Sequence, residues 1–164
     1  MFRNERQVKS NVDLGKKVRD TLMLVVDYVC PLQDAIVAGN YDFVNESITA
    51  ENFPPHEHER GKKPAFFKLF HFNRYIESKA AITEMDKQGY RPASLRELLA
   101  YGKENPELQR QFPIIALLSV WVDPSSGYRH VPVLWGNIDK RSLRLDYFED
   151  RWASNSRFLA VRKY

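Results

Sequence analysis

The stretch RPASLRELLAYG, from Arg91 to Gly102, carries the clearest local signals in the chain. Ser94 and Glu97 have the spacing of a capping box, in which each side chain bonds the backbone of the other residue at a helix start. The leucines that follow recur at helical spacing, and the final glycine is a typical stop signal. The sequence therefore predicts an amphipathic helix with one buried face.

Four elements are predicted before this helix. TLMLVVDYV, from Thr21 to Val29, indicates a buried strand, although a helix over Leu14–Val29 also fits the pattern. PLQDAIVAG, from Pro31 to Gly39, predicts a short helix that begins after the proline. AFFKLFHF, from Ala65 to Phe72, alternates like a strand with one buried face, and KAAITEMDKQ predicts a helix that Ser78 would cap.

Beyond Gly102 the sequence turns to strands. FPIIALLSVWV, from Phe112 to Val122, is almost continuously apolar, which favours a central strand. DPSSG at 123–127 is turn chemistry, so YRHVPVLWG at 128–136 is predicted to return as the second arm of a hairpin, with His130 on a strand face. FLAVRK at 158–163 predicts a terminal strand that pairs with the apolar centre of the sheet. The predicted class is α+β, with a mixed or antiparallel sheet and flanking helices.

The chain has 164 residues, of which 43% are hydrophobic, so one domain over 1–164 with its own core is expected. Residues 1–12 are charged and expected to fray, and the proline-bracketed segment 51–64 is expected to be an exposed loop. The single cysteine, Cys30, excludes a disulfide framework. The longest apolar run is too short to span a bilayer, so a soluble chain without signal peptide or membrane insertion is expected.

A net charge of +4 raises the question of nucleic acid, but the basic residues are spread along the chain, which favours a solvated surface. His56 and His58 could bind a metal only with a third ligand, which no motif specifies, so no metal or cofactor is predicted. No nucleophile–base pair, paired carboxylates or phosphate loop is placed by spacing. An enzyme is therefore not predicted.

Residues 136–157 show no regular period. Leu143, Leu145, Phe148 and Trp152 are apolar enough to hold this segment against the core. The other side chains are mostly Asp, Tyr, Arg, Ser and Asn, without a structural assignment. The segment is therefore interpreted as an anchored loop with a free exposed surface.

Several separated motifs occur in a recognisable order, namely HFNRYI at 71–76, the run from Gly89 to Pro124, VPVLWG at 131–136, RSLRL at 141–145 and RFLAVRK at 157–163. In this order they resemble the variable proteins of archaeal diversity-generating retroelements. The resemblance implies a C-type lectin-like fold, an archaeal or archaeal-virus origin and a ligand-binding surface within residues 136–157.

In that family, the resemblance implies, template adenines are copied with errors, so an AAC codon can become a codon for Asp, Tyr, Ser, Ala or Arg but not for Lys, Glu or Trp. Lys140, Glu149 and Trp152 are then expected to be fixed. The implied function is non-enzymatic binding of an unknown ligand, expected to be a protein or a cell-surface molecule. The expected variable ligand-binding residues are Asn137, Ile138, Asp139, Arg144, Asp146, Tyr147, Asp150, Arg151, Ala153, Ser154, Asn155 and Ser156.

The residue types of segment 136–157 agree with a binding role. Tyr, Ser, Asn and Asp are the residue types that binding loops favour, and Tyr147 is the expected energetic centre. The alternative function is a basic nucleic-acid-binding module, which would use Arg141, Arg144, Arg151 and Arg157.

Overall fold

The computed structural model describes residues 21–163, which form three α-helices, one large mixed sheet and one two-stranded sheet. The predicted α+β class is confirmed. The helices are α1 (Leu32–Ala38), α2 (Ser78–Lys87) and α3 (Leu95–Glu104), and a 3-10 turn covers Leu108–Arg110. The strands are β1 (Leu22–Asp27), β2 (Phe43–Val44), β3 (Lys62–Phe70), β4 (Ile76–Glu77), β5 (Tyr90–Pro92), β6 (Ile114–Ile115), β7 (Trp121–Val122), β8 (Arg129–Gly136), β9 (Arg141–Tyr147), β10 (Arg151–Trp152) and β11 (Arg157–Arg162).

The terminal strand β11 lies in the centre of the large sheet, as predicted. The sheet runs in the order β1-β3-β11-β6-β8-β9-β2, with β5 also paired to β11 and β7 paired to β8. The β6–β11 and β2–β9 pairs are parallel, and the other pairs are antiparallel. The small sheet joins β4 to β10.

Helix α3 begins with the capping box that the sequence predicts. The Ser94 hydroxyl accepts a hydrogen bond from the Glu97 backbone N–H at 3.2 Å, and the Glu97 carboxylate accepts one from the Ser94 N–H at 2.8 Å. Leu95, Leu98 and Leu99 are all buried. Packing of this apolar face against the sheet supplies most of the stability of such a short helix.

The large sheet separates two hydrophobic cores. The first core contains the α3 leucines together with Leu134 of β8 and Leu159 of β11. The second contains Met85 of α2 and Phe158 of β11. Because successive strand residues point to opposite faces, one strand such as β11 supplies side chains to both cores.

The prediction of one continuous strand over Phe112–Val122 is wrong. Only β6 and β7 are strands, and the backbone between them is irregular although Ala116 and Leu117 are buried. The Leu118 N–H donates to the carbonyl of Ala93, and the Ser119 hydroxyl accepts from the Leu95 N–H at the start of α3. Leu118 and Ser119 thus bond to the start of α3, while the Ala116 N–H still donates to the Pro132 carbonyl of β8.

At the amino-terminal side the predicted strand forms, and the helix that also fitted the pattern does not form within the described residues. The prediction that β1 is buried is wrong. This strand lies at the edge of the sheet, and Met23 and Val25 are 51% and 63% exposed. α1 forms within one residue of its predicted bounds. The expectation that residues 1–12 fray lies outside the described residues.

Segment 51–64 is less exposed than predicted. Phe53 and Glu59 are buried, and β3 already begins at Lys62. A loop that carries an aromatic ring into the core gains more from burial than from hydration of its polar neighbours. No helix in residues 21–163 is both long and apolar enough to cross a bilayer.

Candidate ligand-binding site

The segment 136–157 is not the loop that the sequence suggested, because it contains β9 and β10. Leu143 and Leu145 alternate along β9 and lie opposite Leu134 and Pro132 of β8. Cross-strand pairs of this kind stabilise a hairpin, and here they stabilise strand structure although polar residues stand between them. The predicted surface is therefore built mostly on a strand, a short sheet and the turns that join them.

The apolar residues of the segment hold it to the core as predicted. Leu143 is fully buried, and Phe148 and Trp152 are 8% and 6% exposed. Ser78, the first residue of α2, donates its hydroxyl to the Phe148 carbonyl at 2.6 Å and accepts a bond from the Trp152 indole at 2.8 Å. The prediction that Ser78 caps α2 is wrong, since its hydroxyl is used to fasten the 148–152 turn.

Most of the predicted ligand-binding residues are accessible to a ligand. Arg144 and Asp146 are half-buried, and nine further residues are exposed. The exposed residues are Asn137, Ile138, Asp139, Tyr147, Asp150, Arg151, Ala153, Ser154 and Asn155.

Ser156 was predicted wrongly as a contact residue. It is only 4% exposed, and its N–H closes a turn by donating to the Ala153 carbonyl at 3.0 Å. It immediately precedes β11, where the chain enters the centre of the sheet. A buried position at the start of a central strand offers no surface to a ligand.

The accessible residues do not form one patch, because β9 presents its residues alternately to the two faces of the sheet. Arg144 and Asp146 lie opposite Val133 and Val131, whose side chains belong to the second core. Tyr147 lies opposite His130 and points to the other face. The expectation of a single outward-facing surface is thus replaced by several groups along and around β9, whose outer edge is paired with β2 at Ser142 and Leu143.

The first group is aromatic. The ring of Tyr147 lies 5.5 Å from that of Tyr128 and 4.8 Å from that of His130, and His130 lies 5.4 Å from Trp121. Tyr128 and Tyr147 are exposed, and with Glu149 and Asp150 they line a shallow hollow of about 310 Å³. We name Trp121, Tyr128, His130 and Tyr147 the aromatic group.

Of this group, only Tyr147 is among the ligand-binding residues predicted from the sequence. The alternation of the predicted hairpin arm placed His130 on a strand face, and the structure confirms that position. Pairing that arm with β9 would have placed Tyr147 beside His130, but β9 itself was not predicted. Because β9 was not predicted, the contacts of Tyr147 with Tyr128 and His130 could not be predicted either.

The second group lies on the opposite face of β9. The Arg144 guanidinium stacks over the Trp135 ring at 5.0 Å and approaches the Asp146 carboxylate at 3.5 Å. Burial raises the pKa of Asp146 above its ordinary value, and the nearby Arg144 charge opposes this shift only in part. Trp135 and Asp146 therefore hold Arg144 in place, and its half-buried guanidinium can serve as a positioned cation on this face of β9.

The third group surrounds the small sheet. Arg151 lies over the exposed ring of Tyr75 at 5.7 Å, and the His71 side chain donates to the Ser154 carbonyl at 2.9 Å. The Asn155 carbonyl accepts a hydrogen bond from Arg157 at 2.6 Å. Backbone bonds thus fix the turn while the side chains of residues 153–155 stay free to vary.

The fourth group is the turn between β8 and β9. The Asn137 side chain accepts bonds from the N–H groups of Asp139 and Lys140, both at 2.9 Å, and leaves Ile138 87% exposed. β9 then separates this turn from Tyr147 by about 20 Å at the usual rise per strand residue. The 137–139 turn therefore does not join the aromatic group in one small site.

The four arginines proposed for nucleic-acid binding are not equivalent. Arg141 is buried and donates to the carbonyls of Gly39 and Pro106. Arg157 is half-buried over the ring of Phe112, and burial lowers its pKa. Arg151 is the only exposed member of the four, so they do not form the exposed basic row that phosphate contacts need.

The two histidines of the 51–64 segment each contact a polar side chain outside that segment. His56 lies 3.1 Å from the Ser119 hydroxyl, and His58 lies 3.3 Å from the Glu97 carboxylate. Burial lowers the pKa of His56. Within residues 21–163, no cluster of three or more His, Cys, Asp or Glu side chains has the arrangement of a metal site.

Comparisons of the chain with models of protein families, with curated proteins and with solved structures find no match. The functional proposal therefore rests on the residues and geometry of this chain.

Proposed function

We propose that this protein is a non-enzymatic binding protein with a C-type lectin-like fold, whose surface around β9 is diversified as in the variable proteins of archaeal retroelements. The supporting observation is the separation of two kinds of residue within 136–157. Most exposed or half-buried positions carry polar or aromatic side chains, with Ile138, Leu145 and Ala153 as exceptions. Leu143, Phe148 and Trp152 are spaced among them as buried anchors, and the polar residues Arg141, Ser142 and Ser156 are buried as well. A diversified surface requires such a separation, because variation at an anchor would cost stability.

Lys140, Glu149 and Trp152 are residues that adenine mutation of an AAC codon cannot produce. Of the three, only Trp152 is a buried anchor. Trp152 is buried and donates a hydrogen bond to Ser78, so its loss would leave a cavity and remove one of the two hydrogen bonds of the Ser78 hydroxyl. Glu149 and Lys140 are exposed, and their fixed identity has no structural reason beyond the Glu149–Arg129 ion pair.

The ligand that suits this surface is a protein or another large cell-surface molecule. The accessible groups are spread around the edge of β9, and the hollow beside Tyr147 is shallow and open. A surface of this shape contacts an extended partner better than a small molecule, which favours an enclosed pocket. Tyr128 and Tyr147 supply rigid contact area, and Ser154 and Asn155 supply short hydrogen-bonding groups.

The DNA that flanks the gene tests this proposal. The expected finding is a near-repeat of the codons for residues 136–157, differing from them only where the repeat has adenine. The differing codons should fall on the exposed positions and spare those of Leu143 and Trp152. Absence of a near-repeat, or differences spread over buried and exposed codons alike, would remove the proposal.

A further inference from the structure

A second concave surface lies at the opposite end of β11 from the 153–155 turn. Its volume is about 290 Å³, and its wall includes Tyr28, the start of β3, Arg91 of β5 and residues 161–163. The length of β11 places it about 17 Å from the residues that follow the candidate ligand-binding site. We name this surface the basic pocket.

The lining of the basic pocket is positively charged. Lys63, Arg91, Arg162 and Lys163 contribute cations, and the imidazole ring of His58 also lines the pocket. In the part of the chain that the structure describes, no carboxylate lines the pocket. Low-dielectric walls of one charge sign concentrate the field in a hollow, so counter-ions are attracted there more than to a flat surface.

Two of these cations have carboxylate partners that lie outside the pocket lining. Both terminal guanidinium nitrogens of Arg91 donate to the Glu97 carboxylate at 2.8 Å, and Lys163 pairs with Asp86. Lys63 donates instead to the carbonyl of His58 at 2.8 Å, and Arg162 stacks over the ring of Phe66 at 4.3 Å. Among residues 21–163, neither Lys63 nor Arg162 has a carboxylate within ion-pair distance.

Glu97 makes the wall of the pocket rigid. It is fully buried and also accepts hydrogen bonds from the Tyr28 hydroxyl at 2.6 Å and from His58. Burial alone would raise the pKa of Glu97, but hydrogen bonds from Arg91, His58 and Tyr28 outweigh burial and hold the pKa well below its ordinary value. The ionised Glu97 carboxylate therefore holds Arg91, His58 and Tyr28 in place before a ligand binds. This lowers the conformational entropy that is lost on binding.

We propose that the basic pocket binds a small molecule that carries a phosphate or diphosphate group. Lys63 and Arg162 would contact its oxygens, since a multiply charged anion between two cations without a carboxylate partner among residues 21–163 forms charge-assisted hydrogen bonds with both. The arginine adds a planar donor pair suited to phosphate. The pocket volume accommodates the phosphate with a small organic part beside Phe66. This site is separate from the β9 surface and does not depend on the function proposed above.

Inorganic pyrophosphate is the probe, titrated by calorimetry with sodium chloride adjusted to keep the ionic strength constant. Saturable binding to the unaltered protein is expected. The double variant Lys63→Gln, Arg162→Gln should bind at least about tenfold more weakly, because two charge-assisted bonds are lost. Both side chains are exposed, so the variant is expected to fold, which circular dichroism verifies.

The matched control is the double variant Arg74→Gln, Lys79→Gln, which removes the same charge from exposed positions outside the pocket. It should retain the affinity of the unaltered protein. Absence of saturable binding, or an equal loss in both double variants, would overturn the proposal. Citrate binding as tightly as pyrophosphate would overturn its assignment to phosphate chemistry.

Discussion

The indole Nε1 of Trp152 donates a 2.8 Å hydrogen bond to the hydroxyl of Ser78, and both side chains are buried. The same hydroxyl donates to the carbonyl of Phe148. One small residue at the start of α2 therefore fixes both ends of the turn that carries Glu149 and Asp150. The exposed side chains of that turn can change while its backbone stays in place.

Ser78→Ala tests this attachment. The substitution leaves the Trp152 indole and the Phe148 carbonyl without a partner, so the free energy of unfolding should fall by about 1–3 kcal/mol. Urea unfolding measures the change, and hydrogen exchange should show faster exchange across 148–152. Thr83→Ala is the control, since the Thr83 hydroxyl bonds only to a carbonyl on the exposed side of the same helix. An equal small effect of both substitutions would contradict the attachment.

Ser154 and Ser156 are two residues apart but differ in burial, so the same substitution should affect them differently. Ser156→Tyr should lower the free energy of unfolding by about 1–3 kcal/mol, because the ring must be forced into a packed region. Ser154→Tyr should change it by less than about 0.5 kcal/mol, because that side chain is exposed. Thermal unfolding of the two variants gives the comparison. Equal tolerance at both positions would show that Ser156 belongs to the variable surface after all.

Glu97 is expected to make the fold sensitive to acid. Burial alone would raise its pKa, but the hydrogen bonds from Arg91, His58 and Tyr28 set the folded-state pKa well below the ordinary 4.5. As the pH falls, the unfolded chain takes up the proton first. The stabilisation from ionised Glu97 is therefore complete above pH 4.5 and is lost progressively as the pH falls toward the folded-state pKa.

The check is the free energy of unfolding in urea from about pH 6 to about pH 3. Glu97→Gln removes the titrating group at nearly constant shape, so its stability should fall less steeply with acid than that of the unaltered protein. Should Glu97→Gln not fold, Arg91→Lys provides a milder change that weakens the same pair. Identical slopes for a folded variant and the unaltered protein would assign the acid sensitivity to other carboxylates.

The triple substitution of Tyr147, Asp150 and Asn155 by alanine tests whether accessible residues are free of a structural role. Tyr147 contacts Tyr128 and His130, and an aromatic pair contributes about 0.5–1.5 kcal/mol. The total loss in the free energy of unfolding should therefore stay below about 2 kcal/mol, with cooperative unfolding retained. Loss of the cooperative transition would mean that these residues support the fold.

Local signals were sufficient for α3 and for β11. The capping box and the leucine face act within one helix, so no distant contact was needed to predict it. The prediction that Gly102 ends α3 is wrong, because the helix continues to Glu104 and Gly102 is buried within it. The alternation in FLAVRK and its lack of charge at the inward positions were enough to place β11 in the sheet. In α3 and β11 the local sequence preference matches the position that the element takes in the fold.

The parts that were missed depend on distant partners. Ser78 has the residue type and position of a cap, but its hydroxyl is taken by Phe148 and Trp152, which lie 70 or more residues later. Phe112–Val122 has the composition of one strand, yet its middle bonds to the start of α3. Sequence patterns alone do not reveal such competition for hydrogen bonds.

Most residues predicted for the candidate site are accessible, but they do not form one surface. Exposure was predicted correctly for most positions because polar residues without a period tend to remain in water. The arrangement was wrong because RSLRLDY alternates as β9, which sends Tyr147 to one face and Arg144 to the other. Recognising that strand would also have linked Tyr147 to Tyr128 and His130.

The most direct test of the account is the stability of a library in which the nine exposed residues among the predicted ligand-binding residues are randomised together, and Leu143, Phe148, Trp152 and Ser156 are kept. Most members should unfold cooperatively, with Tm within about 6 °C of the unaltered protein, because surface substitutions change stability little. A control library that randomises only the four kept positions should yield mostly unfolded chains. If the first library loses cooperative unfolding as often as the second, the division between a fixed framework and a free surface is contradicted.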